Sequence, residues 1–200
     1  MFTKFSFFQR PKFLKKSLGL FLFLSFSLGA FAKNADREIP KGTVHRHSVG
    51  IGLGQTFLHS DFSKIGDDKI AFPDFFYAFT ASHTFDIVAN IHSSKHEKGG
   101  SEITLPGFAA SIKGKIFEFD DFSPFVMGGL GFYRPDTTNT DNKTVFGFNL
   151  GLGVDLRLTN QFKVGLLLQH HDPFDVKQKS GPDLEGSYTK FLLTLFYTFF

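Results

Sequence analysis

The sequence predicts an all-β protein, an eight-stranded antiparallel transmembrane up-and-down β-barrel preceded by a cleaved signal peptide. Three observations predict it: apolar residues alternate with glycine or polar residues at a period of two, short and long connections alternate along the chain, and the charges inside the alternating segments keep to one parity. Between Phe146 and Leu156, one face carries Phe146, Phe148, Leu150, Leu152, Val154 and Leu156, and the other Gly147, Asn149, Gly151, Gly153 and Asp155. Period-two alternation specifies a strand. A second face that is mostly glycine suits the inside of a narrow tube better than a solvated surface.

Residues 1–32 have the three parts of a signal peptide: Lys4, Arg10, Lys12, Lys15 and Lys16, an apolar run from Leu18 to Phe31, and the small-x-small sequence Ala30-Phe31-Ala32. Ser25, Ser27 and Gly29 interrupt the run, which is shorter than the ~20 residues of a spanning helix. Five of the 22 Lys and Arg lie in this leader and none of the 19 Asp and Glu does, so the mature chain carries 17 against 19, a net charge of −2. The formal +3 of the whole chain therefore belongs to the leader and gives no reason to expect a nucleic-acid partner. Cysteine is absent, and an exported domain without disulfides is well served by a closed ring in which every backbone polar group is paired.

Residues 33–46 read as a polar periplasmic arm and residues 47–200 as the barrel domain. The first strand turns Val49, Ile51, Leu53 and Phe57 outward between Gly50, Gly52 and Gly54. The second turns out Phe75, Tyr77, Phe79 and Ala81, and the third Ile87, Ala89 and Ile91. The fourth directs Phe108, Ala110, Ile112 and Ile116 to lipid and Ser111, Lys113 and Lys115 inward. A fifth runs from about Pro124 to Tyr133, and the sixth is the example above. The seventh directs Phe162, Val164, Leu166 and Leu168 outward, and the eighth runs from Tyr188 to the end. Connections near 58–74, 93–107, 134–144 and 171–187 are long and polar, whereas those near 83–85, 118–123 and 157–161 are short. With an even strand number, both termini are expected in the periplasm and the long loops outside.

Lys or Arg facing lipid at mid-membrane costs ~2–4 kcal/mol. Asp86, Lys113, Lys115, Asp155 and Lys163 all take the inward parity, and a turn over Arg157 to Gln161 is expected to set Asp155 opposite Lys163. A soluble barrel with an apolar interior is the alternative; it requires a polar face richer in Lys and Glu. Phenylalanine favours the membrane reading, because 21 of the 30 lie beyond the leader, most on the outward parity or at strand ends where an aromatic girdle is expected.

Ser123-Pro124-Phe125-Val126-Met127-Gly128-Gly129-Leu130-Gly131-Phe132 resembles the fifth-strand motif of small OmpA-like and OmpW-like outer-membrane barrels. Thr84-Phe85-Asp86-Ile87-Val88-Ala89 and Leu105-Pro106-Gly107-Phe108, in that order and spacing, are more similar to the OmpW kind. The resemblance covers about residues 47–200. It implies a narrow barrel in the outer membrane, in contact with its lipid and lipopolysaccharide and inserted by the barrel assembly machinery. It also implies a partly hydrophobic lumen that passes small apolar solutes, with a lateral exit into lipid. The terminal assembly signal of such barrels has aromatic residues two apart on one face; Tyr197 and Phe199 meet it, and Phe200 extends one residue further. Tryptophan, common at the interface of such barrels, is absent.

Phe76, Val88, Met127, Leu167 and Phe196 fall on the inward parity as a candidate apolar lining. An eight-stranded interior is also just wide enough for its own side chains to fill it. A continuous void past Phe76, Met127 and Leu167 favours a conduit, and a plug favours a structural or adhesive role. No cofactor, metal or enzymatic activity is expected. His170-His171-Asp172 stands where lipid A deacylase barrels place their catalytic residues, but no serine follows in register, so His170 and His171 are expected to be interfacial residues at a strand end. His45 with His47, and His92 with His96, lack carboxylate or thiolate companions for a metal. The run Asp136 to Asp141 lacks the glycine and terminal glutamate of a calcium loop. Gly50-Ile51-Gly52-Leu53-Gly54 has neither the spacing nor the helix of a nucleotide loop.

Overall fold

The computed structural model describes residues 45–70, 73–117, 121–138, 140, 143–179 and 181–199. The leader, most of the N-terminal arm and Phe200 lie outside the described residues. In chain order the elements are β1 (Arg46–Ser60), a one-turn helix α1 (Phe62–Ile65), β2 (Lys69–Ile70), β3 (Asp74–Thr80), β4 (Phe85–His92), β5 (Lys95–Lys98) and β6 (Ser101–Thr104). They continue with β7 (Gly107–Lys115), β8 (Phe122–Tyr133), β9 (Asp136–Thr137), β10 (Val145–Arg157), β11 (Phe162–Pro173) and β12 (Gly186–Phe199).

Eight of these, β1, β3, β4, β7, β8, β10, β11 and β12, pair in sequence order, and β12 pairs with β1 to close the ring. All the pairings are antiparallel. The seam runs from His47 opposite Phe199 to Ser60 opposite Gly186. Closure leaves no sheet edge in the ring, which a hydrocarbon surround requires.

The parity read from the sequence is the parity observed. Leu150 and Leu152 are 56% and 58% exposed, and Val49, Leu53, Phe75, Ile87, Ile91, Ile112, Val126 and Leu130 also face outward. Between them, Ser48, Asp86, Asn90, Ser111, Asn149, Gln169, Lys190 and Thr194 are buried. Apolar outside and polar inside is the inverse of a water-soluble barrel. Aromatic side chains gather at both ends of the outward band. Phe162 and Tyr197 lie 5.2 Å apart at the end where β1 begins and β12 finishes, here the terminal end, and Phe132 and Phe146 lie 5.7 Å apart at the loop end.

One register expectation is corrected. Asp155 pairs with Gly165, not Lys163; Lys163 lies opposite Arg157. The turn sits one residue further along the chain than expected, where the N–H groups of Leu158 and Thr159 both donate to the carbonyl of Phe162. The hydroxyl of Thr159 accepts from Gln161 N and Phe162 N. The ladder therefore continues one pair further, and a two-residue shift leaves every side chain on its face. Ser82 closes the β3–β4 turn similarly, its hydroxyl accepting from Thr84 N and Phe85 N.

The long connections have structure of their own. α1 and β2 fill the first, with β2 pairing against Gln55 and Thr56 of β1. β5, β6 and β9 form a separate three-stranded sheet across the second and third. The fourth is held by bridges between Thr140 and Gln178 and between Val176 and Leu184.

Candidate functional site

The inward residues of β12 run from Thr198 at the terminal end through Phe196, Thr194, Leu192 and Lys190 to Tyr188 at the loop end. They index the layers that fill the bore.

Near the terminal end the five charged residues identified from the sequence come together. Lys113 Nζ donates to Asp155 Oδ2 at 2.5 Å, and Lys115 Nζ lies 3.9 Å from Asp86 Oδ1. Lys163 lines the same small cavity as Asp86, Lys113 and Asp155. The partner of Asp155 is therefore Lys113, 42 residues away, and not its hairpin neighbour. The Lys113 ammonium also sits 3.8 Å from the centre of the Phe125 ring, which adds a cation–π contact.

Phe76, Val88, Met127, Leu167 and Phe196 all lie in one buried cluster with Ala78, Phe125 and Leu192. The rings of Phe76 and Phe196 are 5.6 Å apart. Inward glycines make room for these side chains. A Cβ on Gly50 would stand 2.5 Å from the Phe196 ring, and one on Gly153 would stand 2.6 Å from that of Phe125. The face that read as empty is where neighbouring strands seat their largest rings. The cavity left between this cluster and the ionic groups is about 20 Å³, room for about one water molecule.

On the loop side of this cluster is a hydrogen-bonded layer. Lys190 Nζ donates to Asp74 Oδ1 at 2.6 Å, with both side chains fully buried. Asn149 Oδ1 accepts from Ser111 Oγ at 2.7 Å and from Gln169 Nε2 at 3.1 Å. His92 Nε2 lies 2.6 Å from the Tyr188 hydroxyl, and His171 Nδ1 lies 3.1 Å from that of Tyr133. His171, expected at an interface, is fully buried and stacks on Tyr188; only His170 faces outward, beside Phe148. β11 runs on to Pro173, so His171 remains within the ladder and its parity points it inward.

The final layer joins the barrel to its loops. Leu58, Phe62, Ile103, Leu105, Tyr133, Val176, Leu184 and Tyr188 form one buried apolar cluster, drawing on β1, α1, β6, β8, the fourth loop and β12. Tyr133 and Tyr188 belong to this cluster through their rings and to the layer beneath through their hydroxyls. Over it, the β5–β6 hairpin carries an exposed charge network in which Lys95 pairs with Glu102 at 2.8 Å and Lys98 with Asp67 at 3.4 Å. That hydrogen bond to Glu102 holds the Lys95 ammonium above its ordinary pKa. Burial holds His96 below its ordinary value, while its Nδ1 donates to the carbonyl of Asp67.

Tyr197 and Phe199 face outward at the terminal end of β12. Among the described residues, no group of three or more His, Cys, Asp or Glu side chains is placed to hold a metal ion. The sequence contained the inward parity of the ionic and apolar groups. It hid the pairing of Asp74 with Lys190, 116 residues apart, and the loop-end cluster, whose members come from six separate segments.

No curated protein is matched by the sequence. The fold is similar to solved outer-membrane barrels. Neisserial surface protein A (NspA) superposes with a TM-score of 0.59 at 10% identity, over 77% of this chain and 97% of that one. OprG of Pseudomonas aeruginosa gives 0.53 at 10% identity over 78% and 97%, and Ail, the attachment invasion locus protein of Yersinia pestis, gives 0.52 at 12% over 78% and 100%. These likenesses establish the fold, and the OmpW-like character of the sequence is consistent with it. The profile of the outer membrane protein beta-barrel domain matches residues 18–199, and the chain accordingly belongs to that family of outer-membrane barrels.

Proposed function

We propose that the protein is a sealed, non-enzymatic outer-membrane barrel that holds a rigid extracellular platform for surface interaction. The observation that carries this reading is the loop-end apolar cluster, which binds the loops to one another and to the barrel wall. Loops kept only to connect strands need no shared core, whereas a recognition surface gains affinity from being ordered in advance. Ail, which shares the fold, is the attachment invasion locus protein of Yersinia pestis. In this reading the loop end faces outside and both mature termini lie in the periplasm. The outward band contacts lipid and lipopolysaccharide, and the barrel assembly machinery reads the strand that ends in Tyr197, Phe199 and Phe200.

A narrow conduit for small hydrophobic molecules is the second reading, favoured by the apolar residues Phe76, Val88, Met127, Leu167 and Phe196. Passage requires the Phe76 and Phe196 rings to swing out of a filled bore. Planar-bilayer conductance and liposome uptake of apolar solutes decide between the two. The sealed reading expects the native barrel to match a protein-free control, with passage appearing only in Phe76→Ala/Phe196→Ala. Uptake by the native barrel removes it. For the platform, cells displaying a barrel with residues 174–185 replaced by a tight turn are expected to lose attachment to host-cell surfaces while retaining the folded barrel. Unchanged attachment removes that half.

A further inference from the structure

On the outward wall near the loop end, three adjacent strands bring together His59 of β1, Thr189 of β12 and His170 of β11. His59 Nε2 lies 2.8 Å from Thr189 Oγ1, and His170 Nδ1 lies 3.0 Å from the same oxygen. The ring centroids are 6.0 Å apart. Two imidazole nitrogens from residues 111 positions apart in sequence therefore converge on one point, while His59 is exposed and His170 half-buried.

A threonine hydroxyl has one proton, so it can donate to only one of these nitrogens, and the other must present N–H to the oxygen. When both rings take the tautomer with a lone pair toward Thr189, two nitrogens and one hydroxyl oxygen face a common position. Metal–nitrogen bonds of about 2.0–2.1 Å place the centroids of two rings on one ion roughly 5–6.5 Å apart. The observed 6.0 Å lies within that interval. Small rotations of the side chains then suffice to move the nitrogens from a shared hydroxyl to a shared cation.

We propose that His59 and His170, flanking Thr189, form a surface site for an imidazole-preferring divalent cation of the zinc, copper or nickel class. Imidazole ligands select these ions over magnesium and calcium, which prefer oxygen. Asp172, two residues beyond His170 on β11, acts electrostatically on that ring and adds the negative charge that favours a cation. Among the described residues no third His, Cys, Asp or Glu completes the set, so water or an oxygen of a bound ligand fills the remaining positions. The site lies where the outward side chains change from Phe57, Leu168 and Phe191 to Asp172 and Ser187, at the margin of the apolar band. An ion there is reached from the aqueous side.

The mature chain, folded in detergent micelles without a histidine tag, is titrated with zinc and separately with magnesium while the imidazole ¹H–¹⁵N resonances are followed. Saturable shifts of His59 and His170 with zinc and none with magnesium are expected. His59→Ala and His170→Ala are each expected to weaken binding at least about tenfold. His59→Gln keeps a polar group for Thr189 but no imidazole, and is expected to weaken it equally. Zinc shifts that survive both alanine variants, undiminished affinity in His59→Gln, or no response of the two rings at millimolar zinc overturns the proposal.

Discussion

Lys190 and Asp74 form an ion pair in the middle of the barrel with neither side chain reaching solvent, Nζ to Oδ1 at 2.6 Å. The second oxygen of Asp74 has no hydrogen-bond partner among the described residues. The pair therefore stands close to the balance between the desolvation of two charges and their mutual attraction. Removing one partner strands the other. Lys190→Met and Asp74→Leu are each expected to lower stability by about 3–5 kcal/mol, with much of the loss recovered in the double variant. Urea unfolding in micelles, followed by the shift in gel migration between folded and unfolded forms, measures both effects.

Gly50 lies beneath the Phe196 ring, where an added Cβ would stand 2.5 Å from the nearest ring carbon. Gly50→Val is expected to destabilise the barrel by about 1–3 kcal/mol through overpacking. In a Phe196→Ala background the same valine is expected to be neutral or stabilising, since it enters the space the ring vacates. Non-additivity in a double-mutant cycle is the readout, and additive losses would contradict the packing described.

Leu152, exposed on the outward face of β10, tests the apolar band directly. Leu152→Lys is expected to cost about 2–4 kcal/mol in a bilayer if the position lies near its midplane. Asn149, buried on the inward face of the same strand, carries no such depth-dependent penalty. Refolding titrations into lipid vesicles compare the two sites.

His96 gives the loop end a pH dependence. Burial lowers its pKa from 6.5, so the neutral ring is favoured in the folded loops and the protonated ring when they open. Stability from this group is fully present above about pH 6.5 and is lost as pH falls from there toward the lowered folded value. The protection factor of the Asp67 amide, whose N–H donates to the carbonyl of Glu97, is expected to fall across that window. In His96→Asn the pH dependence of the protection factor is expected to disappear.

The barrel was legible in the sequence because period-two alternation is a local property. Phe146 to Leu156 shows both faces without knowledge of any other strand, and the parity of Lys113, Asp155 and Lys163 follows from their own neighbours. Partners were not legible to the same degree. The nearest turn suggests that Asp155 meets Lys163, but that turn lies one residue further along the chain, held by Thr159, and Lys113 reaches Asp155 across the bore instead. The loop-end cluster escaped for a related reason: Phe62, Ile103, Val176 and Leu184 are isolated apolar residues in polar segments, and isolated residues carry no periodicity. His171 was misplaced because the polar triplet around it resembles a strand end, although the ladder continues to Pro173.

The seating of Phe196 over Gly50, Phe125 over Gly153 and Met127 over Gly151 means that each occupied hollow in the wall is shared by two strands. Side-chain bulk at one position is consequently answerable to its cross-strand counterpart. Enlarging one demands shrinking the other, while the circumference, fixed by eight strands and their stagger, stays constant. Evolutionary drift in such a cylinder would then proceed by reciprocal exchanges between adjacent staves, leaving the outer contour unaltered.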